Sequence, residues 1–204
     1  MGELLILNGS PRAPRSHSRR LADLAAGCWK GSTVCRDILG ADLNELCAET
    51  GRASHVLLVF PLYADALPVP LLKFLTALEE SPPQSRPVVS VLINCGFLEP
   101  HQNDVAVEMV RLFCRQNGYP FGSALKIGSG EAILDTPFRF LVSRQVRRLV
   151  RSMSRGACRT FSVTMPLTRR QFVSASTAYW LRYGRSRGVT KSQMETMDIE
   201  PDGP

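Results

Sequence analysis

Apolar residues enter this chain in two alternating patterns: short continuous runs, and longer stretches where they recur every three or four positions. Residues 3–8 (ELLILN) are the first continuous run and predict a short buried strand. Leu21, Leu24, Ala25 and Cys28 then fall at helical spacing, which predicts a helix over 17–27, with Ser16 where an N-cap is wanted. Residues 33–38 (TVCRDI) form a weaker second strand, and 42–50 a short helix. The stretch HVLLVFPLY at 55–63 is apolar almost throughout, as a central parallel strand covered on both faces requires. In LPVPLLKFLTALEE, Pro70 suits a first helical turn and Leu71, Leu75 and Leu78 form one face. VVSVLIN at 88–94 is another buried strand. Val107, Val110, Leu112 and Cys114 mark a helix over 103–117 that ends at Asn117-Gly118, a good C-cap. FGSALKIG at 121–128 is the last expected strand. Beyond it, Phe138, Leu141, Val142, Val146, Leu149 and Met153 stripe one face of a helix. Residues 168–187 read as a further helix, with Phe172, Ala175, Tyr179 and Tyr183 nearly aligned.

Strands that alternate with helices predict an α/β fold with a parallel sheet and helices on both faces. Right-handed crossovers make a doubly wound sheet the economical topology. Ligands of such sheets bind beyond the carboxyl ends of the strands, near the point where strand order reverses. The 204 residues suit one domain with a terminal extension. We expect a sheet domain over 1–160, a helical extension over 161–188, and a polar, disordered tail over 189–204.

Composition narrows the class of protein. At 44% hydrophobic and 21% charged residues, the chain has what an ordinary soluble core needs. No apolar run is long enough for a membrane span. The N-terminus lacks the basic and apolar segments of a signal peptide, and Ile6 stands where a myristoylation motif wants Ser or Thr. The expectation is a cytoplasmic protein. None of the six cysteines has metal-binding spacing, so they read as packed thiols and argue against an iron–sulfur centre or any other metal site. The net charge of +7 owes much to Arg139, Arg144, Arg147, Arg148, Arg151, Arg155 and Arg159. They form either a solvated helix face or an anion-attracting patch. Without an aromatic platform or a recognition-helix pattern beside them, nucleic acid is not the expected partner.

The turn after the first strand, NGSPRAPRSHSRR, holds the candidate chemistry. It opens a helix, whose N-terminal N–H groups and partial positive charge favour a phosphate. Gly9 permits a sharp turn, Ser10, Ser16 and Ser18 offer hydroxyls, and Arg12 offers a forked, charged contact. The stretch is neither a P-loop nor a G-x-G-x-x-G fingerprint. Two readings stand: a cradle for a terminal phosphate, or a capped helix with a solvated arginine. Two more loops share that edge of the sheet, PLYADALPVP at 61–70 and NCGFLEP at 94–100. Each carries an aromatic residue, Tyr63 or Phe97, and together they can clamp a flat heteroaromatic ring. There is no G-x-S-x-G elbow, no H-E-x-x-H and no convincing Cys–His pair, and Asp65 and Glu99 read as surface charges.

These residues carry a resemblance. LNGSPRAPRSHSRRLA is similar to the phosphate signature G-S-P-R-x(3)-S/N-S/T of NADPH-dependent FMN reductases, a flavodoxin-like group. PLYADALPVPLLKFL resembles that family's P-x-Y-x-x-x-x-P-x-x-L-K segment, INCGFLE its flavin-edge loop, and GSGEAI at 128–133 a segment common after its last strand. The resemblance spans roughly residues 3–185. It implies a flavodoxin-like, five-stranded parallel sheet of order 2-1-3-4-5 with extra C-terminal helices. It places phosphate contacts on Ser10, Arg12, Ser16 and Ser18, and ring contacts on Pro61, Leu62, Tyr63, Ala64, Asn94, Cys95, Gly96 and Phe97. The chain reads Tyr63-Ala64-Asp65 where many relatives have Tyr-Trp or Tyr-Asn-Gly, and His17 is uncommon between the two serines. The implied activity is an FMN-dependent oxidoreductase. It takes hydride from NADPH or NADH and passes it to a quinone, free flavin or similar small-molecule acceptor. No catalytic side chain is needed, because the flavin carries the chemistry. A homodimer or larger homo-oligomer is the implied assembly. The alternative is a flavodoxin-like electron carrier or a non-catalytic FMN-binding protein.

Overall fold

The continuous apolar runs become strands β1 (Leu4–Asn8), β3 (His55–Pro61) and β4 (Val88–Asn94), in a computed structural model that describes residues 2–196. They are buried along nearly their whole length, so neither face of the sheet is left to water. β2 (Thr33–Asp37) is only half-buried and β5 (Phe121–Ile127) mostly buried. All strands are parallel, in the order β2-β1-β3-β4-β5-β6. The five-stranded expectation omits β6 (Thr160–Val163). TFSV is four residues long, half-exposed and carries no apolar run, and only its pairing with residues 124–127 of β5 makes it a strand. Strand order reverses between β1 and β3, which sets a crevice at their carboxyl ends.

Helices α1 (His17–Ala26), α2 (Leu43–Arg52), α3 (Val69–Glu80), α4 (Asp104–Gln116) and α5 (Arg139–Ser154) link the strands. Ser16 caps α1, accepting the Arg19 N–H at 3.1 Å, and Asp42 caps α2. The pleat sends alternate side chains to opposite faces. Leu5, Leu7, Val56, Leu58, Phe60, Val91 and Ile93 pack with Leu46, Leu71, Phe74, Leu78, Val107 and Val110 of α2, α3 and α4. The other face takes α1 and α5, which also touch each other. β5 makes the division plain: Lys126 pairs with Asp104 of α4, while the Ser123 hydroxyl lies 2.8 Å from that of Ser152 in α5.

That division has a topological consequence. From β3 to β6 the chain steps across the sheet in one direction, yet α3 and α4 lie on one face and α5 on the other. The β5–α5–β6 crossover is therefore opposite in hand to the two before it, although roughly 98% of such crossovers share the right hand. α5 sits where contact with α1 holds it, and β6 then joins the only free edge beside β5.

The chain divides into two compact units, Met1–Met165 and Pro166–Pro204, the first extending past 160 because β6 belongs to the sheet. In the second, α6 (Arg169–Ser186) and α7 (Lys191–Met194) each begin with a capping box, at Thr168 and Thr190. The expected disordered tail thus contains a capped helical turn, and residues 197–204 lie outside the described residues.

Arg36 of β2 grips the largely buried Glu49 of α2, its Nε donating to both carboxylate oxygens at 3.0 and 3.1 Å. This hydrogen bonding holds the Glu49 carboxyl below its ordinary 4.5. A lowered folded-state value means stability that is present above 4.5 and lost as pH falls through that folded value. Arg36→Gln is expected to be less stable than wild type at neutral pH, with a gap that closes on acidification. Urea titrations from roughly pH 7 down to 3 check this. A gap of constant size rules out charge coupling as its origin.

Candidate functional site

The turn after β1 is built from the strand outward. Asn8 ends β1 buried, and its amide donates to Asp37 at the end of β2 at 2.8 Å. Its side-chain oxygen accepts the Ser10 N–H at 3.1 Å, and the Ser10 hydroxyl accepts the Arg12 N–H at 3.2 Å. The Gly9 N–H reaches across the switch point to Val59 of β3. A Cβ on Gly9 would lie 3.1 Å from that of Leu71 and 3.3 Å from that of Phe60, so any other residue here has to push its neighbours back by a few tenths of an ångström. The chain then enters α1 with the N–H groups of Arg15, Ser16, His17 and Ser18 unused by any acceptor among the described residues. Arg12 and Arg15 are exposed and have no carboxylate partner among the described residues. Arg19 and Arg20 are engaged, with Asp23 and Asp37 and with Asp135 respectively. The bond from Arg20 holds the Asp135 carboxyl below its ordinary value.

This turn forms one wall of a cleft of about 320 Å³. Of the phosphate residues expected from the sequence, Ser10, Arg12, Ser16 and Ser18 all line it. Of the ring residues, only Pro61, Tyr63 and Asn94 do. Leu62, Ala64, Cys95, Gly96 and Phe97 stand outside the lining. Cys95 points inward, where Asn103 donates to its sulfur at 3.3 Å, and burial pushes its thiol up. Ser18 is a tether, since its hydroxyl donates to the Asn94 side-chain oxygen at 3.0 Å. The backbone oxygen of Asn94 accepts the Leu62 N–H at 2.8 Å. One buried asparagine thus joins α1, β4 and the loop at 61–70.

The cleft also contains Pro14, Arg15, His17, Arg19, Arg20 and Glu131, which the sequence reading did not count as contacts. Arg15 lies inside the same turn, and the recurrence of Arg beside Ser was signal enough to find it. Glu131 lies 3.9 Å from the His17 Nε2. It comes from the GSGEAI segment, whose part is structural as well. The Ser129 and Gly130 N–H groups hold the Phe97 and Cys95 carbonyls at 2.5 and 2.7 Å. The Thr164 hydroxyl, just past β6, donates to the Leu98 carbonyl at 2.6 Å. A Cβ on Gly128 would come within 2.5 Å of the Leu98 oxygen, and one on Gly130 within 2.8 Å of the Asn94 Cβ. The loop at 94–100 is therefore set by backbone contacts that tolerate no side chain.

The loop at 61–70 closes differently. Tyr63 and Ala66 exchange backbone hydrogen bonds at 3.2 and 2.9 Å around Ala64 and Asp65, whose φ angles are 46° and 57°. Two successive left-handed residues are the signature of a type I′ turn, which Asn-Gly fits and Ala-Asp does not. No group of three or more metal-ligating side chains occurs among the described residues.

No family model matches the chain, and no curated protein matches it. Solved structures do. An NAD(P)H:quinone oxidoreductase from Methanothermobacter marburgensis superposes with a TM-score of 0.60 at 16% identity, over 74% of this chain and 96% of that one. An FMN-dependent NADH-azoreductase from Bacillus anthracis, in complex with FMN, gives 0.60 at 12% identity over 75% and 99%. A flavodoxin from Streptococcus pneumonia TIGR4 gives 0.57 at 13% identity over 75% and 98%. At these identities the likeness establishes a flavodoxin-like fold.

Two substitutions test this geometry. Ala64→Gly removes a left-handed alanine that costs about 1–2 kcal/mol against a glycine entropy cost of about 0.5–1 kcal/mol. It is expected to raise the thermal midpoint slightly, and a lower midpoint contradicts the turn. Gly130→Val is expected to displace Asn94 and so disturb Ser18 as well. Chemical-shift changes confined to residues 128–131 would show that Asn94 does not transmit the strain.

Proposed function

We propose that the cleft holds FMN and that the protein is an FMN-dependent NAD(P)H oxidoreductase acting on a small-molecule acceptor. The observation that carries this reading is the turn at the switch point. Unused N–H groups at the start of α1 and two unpaired arginines converge there with hydroxyls beside a cleft. That donor set fits a terminal phosphate monoester. Arg12 and Arg15 supply charge, Ser10 and Ser16 supply hydroxyls, and Ser18 keeps the helix start in place through Asn94. Pro61, Tyr63 and Asn94, neighbours at the ends of β3 and β4, offer a surface in the cleft for a flat ring. Leu62, Ala64, Cys95, Gly96 and Phe97 belong to the same two loops without lining the cleft. FMN, when bound, supplies the hydride and electron chemistry, so no nucleophile or general base is asked of the chain. The raised Cys95 thiol agrees, because a buried, protonated thiol is a poor nucleophile.

The names of the superposed structures support the reading: a quinone oxidoreductase, an azoreductase that binds FMN, and an NADH:FMN oxidoreductase, the last at TM-score 0.58 and 16% identity. The flavodoxin among them favours a second reading, an electron carrier that does not turn over nicotinamide. A cytoplasmic location and a homo-oligomeric assembly belong to the enzyme reading.

Titration with FMN is expected to give about one site per chain, with riboflavin much weaker because it lacks the phosphate. Arg12→Ala is expected to lose ~1.5–3 kcal/mol of FMN binding, on the order of ten- to a hundredfold in Kd, with little change in the stability of the FMN-free protein. Equal affinity for riboflavin would remove the phosphate from the turn. Anaerobic addition of NADPH or NADH to the FMN-loaded protein is expected to bleach the yellow colour. Bleaching by dithionite alone leaves the carrier.

A further inference from the structure

A second concavity lies at the opposite edge of the sheet. α5 contains Arg139, Arg144, Arg147, Arg148 and Arg151 and no acidic residue. Arg148, Arg151 and Arg155 are three and four positions apart, so they share a helix face where like charges repel. Arg159, which leads into β6, joins them around a hollow of about 230 Å³ completed by Ser152, Ala157 and Phe161. None of the four arginines has a carboxylate partner among the described residues. The partial negative charge at the end of α5 accounts for Arg151 and Arg155. It does not account for Arg148, a turn earlier, or for Arg159 outside the helix.

The hollow is held rigidly. The Ser123 hydroxyl, fully buried, donates to the Ala157 carbonyl at 2.7 Å and accepts the Arg159 N–H at 3.1 Å. The buried Ser152 hydroxyl lies 2.8 Å from it, and the Ser123 N–H is held in turn by Ser90 of β4. This chain of serines fixes the turn that carries Arg155 and Arg159, with Gly156 at φ 63° making the bend.

We propose that this hollow binds a compact polyphosphate, a soluble anion with two or more linked phosphoryl groups. Four guanidinium groups around one small concavity match a dense cluster of phosphate oxygens, which each planar fork can meet in pairs. A single-stranded nucleic acid would want free aromatic faces for its bases. The one ring here, Phe161, is already covered by the Arg148 guanidinium, 5.1 Å from its centre. A membrane surface would want an apolar wedge beside the charges, and the lining has only Ala157 and the half-buried Phe161. The hollow adjoins the end of α5 and the start of β6, whereas the cleft adjoins the end of β1 and the start of α1, so each can fill without the other. The proposal does not depend on the FMN reading.

Calorimetric titration of the full chain with inorganic tripolyphosphate tests it. A site that requires Arg151 and Arg155 is expected, weakening steeply as salt rises, whatever binds at the turn after β1. The double substitution Arg151→Gln with Arg155→Gln is expected to weaken binding about a hundredfold, at roughly tenfold per charged contact. Arg151→Lys, which keeps the charge and loses the fork, should fall between. Arg12→Ala, at the other edge, should leave intact the part of the binding that depends on Arg151 and Arg155. Should the double variant fail to fold, Arg159→Gln alone is expected to lose about tenfold. Four results overturn the proposal: no binding, binding unchanged by these substitutions, binding lost in Arg12→Ala, or an arginine-dependent oligonucleotide or anionic vesicle that tripolyphosphate does not displace.

Discussion

The carboxyl edge of the sheet is organised around Asn94. Its side chain accepts from Ser18 on α1, its backbone oxygen accepts from Leu62, and Gly130 packs against its Cβ. Four segments far apart in sequence meet at one residue that is 3% exposed. A buried amide left without its partner costs on the order of 1–3 kcal/mol, so each of these contacts resists being broken alone. The turn after β1, the loops at 61–70 and 94–100 and the segment after β5 are therefore tied together at one residue.

Much of this was legible in the chain, for reasons that differ by element. β1, β3 and β4 announce themselves because a strand buried on both faces must be apolar at every position. α1 announces itself through a cap, since Ser16 satisfies an N–H that would otherwise be left open. β6 did not, because a short edge strand is defined by what it pairs with rather than by its own side chains. Nor did the hand of the last crossover, which follows from packing between α1 and α5. At the site, the polar contacts of the turn were readable from local sequence. The inward direction of Cys95 was not, because it depends on Asn103, Ile127 and Gly130, which reach it only once the sheet has formed.

The two ends of the first unit use arginine in contrasting ways. Around the turn after β1, Arg19 and Arg20 are neutralised by aspartates, which leaves Arg12 and Arg15 as the positive charges without a carboxylate partner among the described residues that line the cleft, with Glu131 beside His17 as its acidic member. Along α5 nothing neutralises the arginines among the described residues, and the charge accumulates. A net charge of +7 is therefore a poor description of the surface, because what a ligand meets is the local balance.

The grip of Thr164 on the Leu98 carbonyl ties the loop at 94–100 to the edge of the sheet. β6 is short, half-exposed and paired on one side only, so it should open more readily than the strands inside. When its end frays, Thr164 lets go of Leu98, while the loop at 94–100 keeps its bonds to Ser18, Leu62, Asn103 and residues 127–130. The edge strand is thus a latch on the backbone at Leu98, one step removed from Asn94 and the lining of the cleft.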